Sequence, residues 1–455
     1  MPKPARIQLN GAVLHAGDEG YDAERIGFQR AVPLNPSLIV GAATPDDIVA
    51  AVNYAAANDL PLTVQATGHG LAMPVDTGVL VSTRRLNAVR VDASARIAWV
   101  DAGARMSDVV TAAAPFGLAP VGGSAPSVGA VSYALGGGLS LMGRTFGYAA
   151  DTVRAINVVL ADGQSLQLTD RDDPDLFWAL RGGRMNFGVA TTIALDLVPV
   201  ETLYGGGLFF DTALIEPALR AYLAWTRDVP VTMTSSIAVI PFPDLPVLPA
   251  PLRGRQVAHI RIAYVGAADA GERLVAPLRA VGPRLMESLT VLPYHESASI
   301  YNEPSVPVAY YQSNAMLATI DDDMTRAILD HGIAQAKVVG MIEIRHLGGA
   351  MAKPPLVANA VGHRDAQYLL RIISVLERVD IHAFKAGHAL LLRALEPRTL
   401  GYCLNFMSAG TRPDDMHRFY DADAYRRLVQ LKATYDPTNR FRFTNVIAEN
   451  GTGGA

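Results

Sequence analysis

Apolar and polar positions along the first two hundred residues switch repeatedly between a strand-like period of two and a helix-like period near 3.6. Leu38-Ile39-Val40 reads as a strand running into a helix, with Thr44 at the N-cap, Pro45 at the first helical position, and Asp46 and Asp47 favouring the positive end. Ala51, Val52, Tyr54 and Ala55 carry that helix to Asn58-Asp59, and Leu62 to Val64 is the next strand, so the chain opens as β-α-β. Val79 to Ser82 follows. Alternation in Val89 to Asp92 and Ile97 to Gly103 predicts two strands joined at Ala93 to Arg96. Met106 to Ala114 reads as a short amphipathic helix, Val153 to Leu160 with Ser165 to Leu168 as a hairpin about Ala161-Asp162-Gly163, and Val189 to Val198 as a long strand.

Pro199 marks a change of character. From about Leu203 to Leu395, strands such as Gly207 to Phe210, Ser236 to Ile240, Val257 to Val265 and Met341 to His346 alternate with helices such as Ala213 to Asp228 and Thr325 to Ala336. That order predicts an α+β unit, a sheet covered on one face by helices. Prolines between Pro241 and Pro251 suit a loop or sheet edge. Glu343, Arg345 and His346 alternate in facing along one strand, so one of its faces is free to meet a substrate. At 455 residues the chain exceeds the usual single domain, and two domains, or one interrupted by another, are expected.

Two stretches escape both periods. Gly117 to Gly138 carries seven glycines and few charges, a backbone suited to close approach and to offering amide N–H groups, most simply to phosphate. Upstream, Gln65-Ala66-Thr67-Gly68-His69-Gly70 directly follows a strand. Two glycine turns after β segments predict one extended cofactor held from two sides.

Composition narrows the partners. Half the residues are hydrophobic, 18% are charged and the net charge is −4, which gives a globular chain with no electrostatic footprint for nucleic acid. No run approaches the ~20 apolar residues of a membrane span, and no apolar leader follows the basic first residues, so a cytoplasmic protein is the expectation. Cys403 is the single cysteine and the ten histidines lack ligand spacing, so no metal is expected. Gly138 to Thr145 nearly matches the P-loop pattern. Its lysine position is Arg144, however, and neither a strong preceding strand nor a Walker-B run accompanies it, so nucleotide hydrolysis is rejected.

Taken in order, Gly68-His69, the Gly122 to Gly147 region, Leu176 to Gly183 with Asn186-Phe187-Gly188, Gly348-Gly349-Ala350 with His363-Arg364, Leu404-Asn405-Phe406, and the run from Tyr425 to Phe441 resemble the FAD-linked oxidases of the vanillyl-alcohol oxidase (PCMH-type) fold, specifically the berberine bridge enzyme-like branch. The resemblance spans about Ser37 to Ile447. It implies a two-lobed α+β FAD-binding domain over residues 1–200, an inserted α+β substrate domain over 201–399 with an antiparallel sheet under helices, and a segment 400–455 that completes the FAD domain. It also implies FAD bonded covalently to His69. The second attachment point of many relatives, a cysteine, is Ala125 here, so His69 would be the only link. The FAD contacts implied are Gln65, Ala66, Thr67, Gly68, His69 and Gly70; Gly123, Ser124, Ala125, Ser127, Val128 and Gly129; Tyr133, Gly136, Gly137, Gly138 and Gly143; and Gly188, Val189, Asn405 and Asn445.

Val128 falls at the gatekeeper position, where valine resembles oxygen-reactive members and leucine those that exclude oxygen. Two departures stand out. Arg184-Met185 replaces glycine or lysine followed by glycine, and the tyrosine of the usual Y-x-N-[YF] run is Cys403, with Tyr402 beside it. The catalytic base therefore stays open between Tyr402, Cys403 and Tyr133, with Tyr310 and Tyr311 as further candidates. On a strand Tyr402 would face away from Cys403 and Asn405. The implied activity is oxidation of a small, apolar or aromatic molecule by hydride transfer to flavin N5, with reoxidation by oxygen. The insert's Phe209, Phe210, Ile240, Phe242, Leu245, Tyr264, Met316 and Leu317 favour that substrate class. A redox-neutral cyclisation or isomerisation, an FAD-dependent dehydrogenase, and a flavin carrier are the alternatives.

Overall fold

The computed structural model describes residues 9–70, 73–335, 339–376, 381–407, 411–443 and 447. Its first lobe is a four-stranded sheet in the order Ala12–Leu14, Leu38–Gly41, Val79–Ser82, Leu62–Gln65, with the last three strands parallel. Helix Pro45–Ala57 covers it because Ile48, Ala51, Val52 and Ala55 recur on one face and are fully buried. Its start is fixed by a reciprocal cap. Thr44 accepts from the Asp47 amide while the Asp47 carboxylate accepts from the Thr44 amide.

The second lobe is an antiparallel sheet in the order Val89–Asp92, Ile97–Asp101, Val189–Val198, Val153–Val159, Ser165–Leu168, with the short Ala119–Pro120 also paired to Val189–Val198. Against expectation, the glycine-rich stretch contains a helix, Ala130–Leu135, with every residue but Ser132 buried. With Ser132 as its one residue not buried, the helix has no polar stripe, so it left no amphipathic signal in the sequence.

Between Thr202 and Gly401 the chain forms a nine-stranded antiparallel sheet that roofs the two lobes. Its central strands are Gln256–Tyr264, Met233–Pro241, Met341–His346, Tyr368–Val375 and Tyr310–Leu317. Ile237, Ile260, Ile262, Ile342, Ile344, Leu370 and Ile372 pack on one side in a core shared with helices Ile215–Trp225 and Ile381–Leu395. The alternate positions, among them Arg261, Glu343, Arg345 and Arg371, therefore point the other way, towards the lobes. Arg144 ties roof to lobe: its Nε donates to Met233 O at 2.8 Å, and its Nη1 lies 2.9 Å from His346 Nε2 and also donates to Leu347 O. Among the described residues no helix is long and apolar enough to cross a membrane.

Candidate active site

A cavity of about 1210 Å³ lies between the lobes and the roof. Strand Leu62–Gln65 delivers the first glycine turn to its floor, and Gln65, Ala66, Thr67, Gly68, His69 and Gly70 all line it. Gly68 has φ +72°, and a Cβ there would stand 2.5 Å from Gly27 Cα, so the turn requires glycine at that point. Thr67 Oγ1 accepts from the Gly129 amide at 3.1 Å and sits 2.9 Å from His69 Nδ1. His69 Nε2 is 3.1 Å from Ser127 Oγ, and its ring stacks on Phe28 with centroids 3.9 Å apart. Burial, with Arg105 adding to it, pushes the His69 pKa down to about 4. The ring is therefore neutral at pH 7 and keeps a nitrogen lone pair, which bonding to an electrophilic carbon requires.

Gly123, Ser124, Ala125 and Val128 form the next wall, with Ser127 and Gly129 behind it in contact with the first turn. The Tyr133 ring is wedged between Gly123 and Gly138, where an added Cβ would come within 2.9 and 2.8 Å of it. Tyr133 Oη is buried in the cavity wall without a hydrogen-bond partner, and burial raises its pKa well above the ordinary phenol value. Asn405 lines the cavity and locks this region, donating to Tyr133 O at 3.1 Å and accepting from the Gly138 amide at 2.9 Å. Gly188 and Val189 line it too, whereas Gly136 and Gly137 lie just behind, against the Arg184 and Asn405 side chains. Asn445 lies outside the described residues.

Several expected contacts are not brought together. Gly143 does not reach the cavity: it opens a short helix packed on Met351, whose Sδ would be 2.8 Å from a Cβ there. Tyr402 and Cys403 line a small separate pocket instead. The sheet strand ends at Gly401 and Leu404–Phe406 is a 3₁₀ turn, so strand alternation does not decide which way these two face. The Tyr402 ring lies under the Arg418 guanidinium at 4.4 Å, and Cys403 is buried with its thiol pKa raised by that burial. Tyr311 sits by His388, centroids 4.9 Å apart, away from the lining, while Tyr310 lines the cavity and donates to His69 O at 3.1 Å. Of the apolar residues in the insert, Phe209, Ile240, Phe242 and Leu245 line the cavity, whereas Phe210, Tyr264, Met316 and Leu317 are buried in hydrophobic cores.

Arg184, Arg261, Glu303, Gln312 and Arg371 line the cavity without having been expected there, and Glu343 and Arg345 of the expected strand line it with them. Arg184 has φ +56°, a left-handed backbone that suits glycine. Its Nη2 donates to Leu404 O at 3.0 Å, its Nε is buried without a partner, and no carboxylate of the described residues pairs with it. On the roof, Glu343 Oε1 accepts from Arg261 at 2.8 Å and Oε2 from Arg345 at 3.0 Å. Burial would raise the Glu343 pKa, but Arg345, Arg261 and Arg371 outweigh it and hold the carboxylate below its usual range. Arg371, directly across from Glu343 in the sheet register, donates to Gln312 Oε1. Glu303 accepts from Ser124 Oγ at 2.5 Å. Glu343 and Arg345 lie on the strand expected to meet substrate, while in Leu370-Arg371-Ile372 the missed signal was a charge between two apolar neighbours of a strand.

These features fit FAD. Glycine turns approach from two sides, buried donors on Arg184 and Tyr133 lack partners, and a neutral histidine stands on the floor. A sequence profile described as an FAD binding domain matches residues 36–169, and one described as berberine and berberine like matches residues 405–448. The chain is 28% identical to (R)-6-hydroxynicotine oxidase of Paenarthrobacter nicotinovorans over 98% of each chain. The crystal structure of 6-hydroxy-D-nicotine oxidase from Arthrobacter nicotinovorans matches with a TM-score of 0.83 at 25% identity, covering 97% of this chain and 99% of that one. Xylooligosaccharide oxidase from Myceliophthora thermophila C1 shares the fold with a TM-score of 0.85 at 21% identity, over 96% of this chain and 97% of that one.

Proposed function

The chain belongs to the berberine bridge enzyme-like family of FAD-linked oxidoreductases, and from that premise we propose that it oxidises a C–H bond of a small organic molecule and passes the electrons to molecular oxygen, giving hydrogen peroxide. The observation that carries this reading is the single cavity in which the His69 turn, the Gly123 to Gly129 loop and a charged roof wall face one another. Bound FAD supplies the redox chemistry, accepting hydride from substrate and returning the electrons to oxygen.

The protein's part is holding, excluding and moving a proton. His69, neutral and fixed by Thr67, Ser127 and Phe28, is the attachment point, and Ala125, lacking a nucleophile, leaves it the only one. Arg184 neutralises the FAD diphosphate, the part of that cofactor ionised at neutral pH; its guanidinium finds no anion among the described residues. Val128, on the cavity wall, leaves room for oxygen. Glu303 takes the substrate proton. Burial keeps the Tyr133 and Tyr310 hydroxyls protonated, and Glu343 is bound at both oxygens by arginines, whereas Glu303 lines the cavity with its side chain 26% exposed.

The attachment is tested by acid precipitation and a proteolytic digest. Flavin should stay with the precipitate and appear on the peptide containing His69 alone, and His69→Ala should release it. Release of all flavin from the wild type would remove the covalent claim.

A further inference from the structure

Charge in the roof wall does not balance. Arg261, Arg345 and Arg371 face Glu343 and Glu303, three cations against two carboxylates, and all five line the cavity. Both Glu343 oxygens are taken, one by Arg261 and one by Arg345. Glu303 Oε1 accepts from Ser124 and stands 3.9 Å from Arg345 Nη2. Among the described residues Arg371 is the cation left over. It is 9% exposed, it donates to the neutral amide oxygen of Gln312 at 3.1 and 3.3 Å, and its approach to Glu343 Oε2 is 4.0 Å, beyond hydrogen-bond distance. Its guanidinium lies over the Phe406 ring with 4.3 Å to the centroid, which fixes the plane of its donor fork.

A buried guanidinium short of an anion is unfavourable until a ligand supplies one, and the planar fork of arginine matches a carboxylate with two parallel hydrogen bonds. Further along the same cavity the walls are apolar, formed by Phe209, Ile240, Phe242, Leu245, Leu248 and Leu252. We propose that the substrate is an organic acid, with its carboxylate docked on Arg371 and its apolar body lying along the cavity. This rests on the reading of the cavity as the oxidase's substrate site. A cationic amine would meet the same excess positive charge as repulsion.

The test uses the flavin-loaded protein and a pair of probes of one shape, benzoate and benzamide, titrated while the visible flavin spectrum is followed. Benzoate should bind at least about tenfold more tightly than benzamide, as expected for a charge-assisted pair against a neutral one, and added salt should narrow the gap. Arg371→Met should abolish the preference, weakening benzoate far more than benzamide, and Arg371→Lys should keep part of it. The proposal falls if benzoate binds no better than benzamide to the wild type, including if neither binds, or if Arg371→Met keeps the full preference. Failure of the oxidase reading would show elsewhere, as reduced flavin that does not reoxidise in air, whichever probe binds.

Discussion

Replacing Arg184 by glycine should move two quantities in opposite directions. Arginine at φ +56° holds a strained backbone, worth of order 1–3 kcal/mol, which glycine relieves at an entropic cost of roughly 0.5–1 kcal/mol. The substitution also removes a buried charge with no anionic partner among the described residues. The protein without FAD should therefore gain about 1–2 kcal/mol, and at ~2.1 cal/mol/K per residue that is a rise in Tm of roughly 1–2 °C for a chain of this size. FAD affinity should fall, because a charge-assisted hydrogen bond contributes about 1.5–3 kcal/mol, equivalent to roughly 10- to 150-fold in Kd. The assay is a thermal-shift titration with FAD in a His69→Ala background, where the cofactor exchanges freely. The limit at zero FAD reports backbone and charge relief, and the dependence on FAD concentration reports Kd. Unchanged Kd would refute the assignment of Arg184 to the diphosphate. A lower Tm without FAD would show that the guanidinium is already compensated by the fold.

Glu303→Gln should slow anaerobic reduction of the flavin by substrate by about 100-fold or more, the usual contribution of a general base, and leave reoxidation unchanged; stopped-flow absorbance separates the two half-reactions, and an unaffected reduction rate would exclude Glu303 as the proton acceptor. His388 predicts acid sensitivity of the roof. It is held neutral between Ser313 and Ser374, and burial pushes its pKa down to about 4 from the ordinary 6.5. The unfolded chain binds the extra proton, so stability is complete above about pH 6.5 and falls as pH drops towards 4, by up to ~1.4 kcal/mol per pH unit. His388→Gln should lower that slope in denaturation series at pH 7, 6 and 5, and an unchanged slope would contradict the assignment.

Local signals in the chain were sufficient for much of this architecture. Thr44, Pro45 and Asp47 mark one helix start through capping chemistry that needs no tertiary contact, and the strand from Val189 to Val198 follows from its own run of apolar and β-branched residues. What depends on partners distant in sequence was not legible. Arg371 reads as an isolated charge in Leu369 to Ile373 until pairing with Met341–His346 sets it opposite Glu343. Arg144 sits in a run that resembles a phosphate loop, and only the folded roof reveals it as a clamp to Met233 and Leu347. At Tyr402 and Cys403 a strand had been assumed, but the chain leaves the sheet at Gly401, so the facing argument rested on a conformation that is absent. The apolar residues of the insert were right as a group and ambiguous one by one: Phe209 meets the cavity and its neighbour Phe210 the core, a distinction that turns on the pleat.

The most direct test of the oxidase reading is the fate of reduced flavin in air. The flavin is reduced photochemically under anaerobic conditions and mixed with air-saturated buffer, while absorbance, oxygen consumption and peroxide are followed together. The account predicts rapid return of the oxidised spectrum with one oxygen consumed and one peroxide formed per flavin. Val128→Leu should slow that step far more than it slows reduction by substrate, because the added volume fills the space beside Ala125 and His69 that all three residues line. A reduced flavin that persists in air, or substrate turnover that continues without oxygen beyond one product per flavin, would contradict the account.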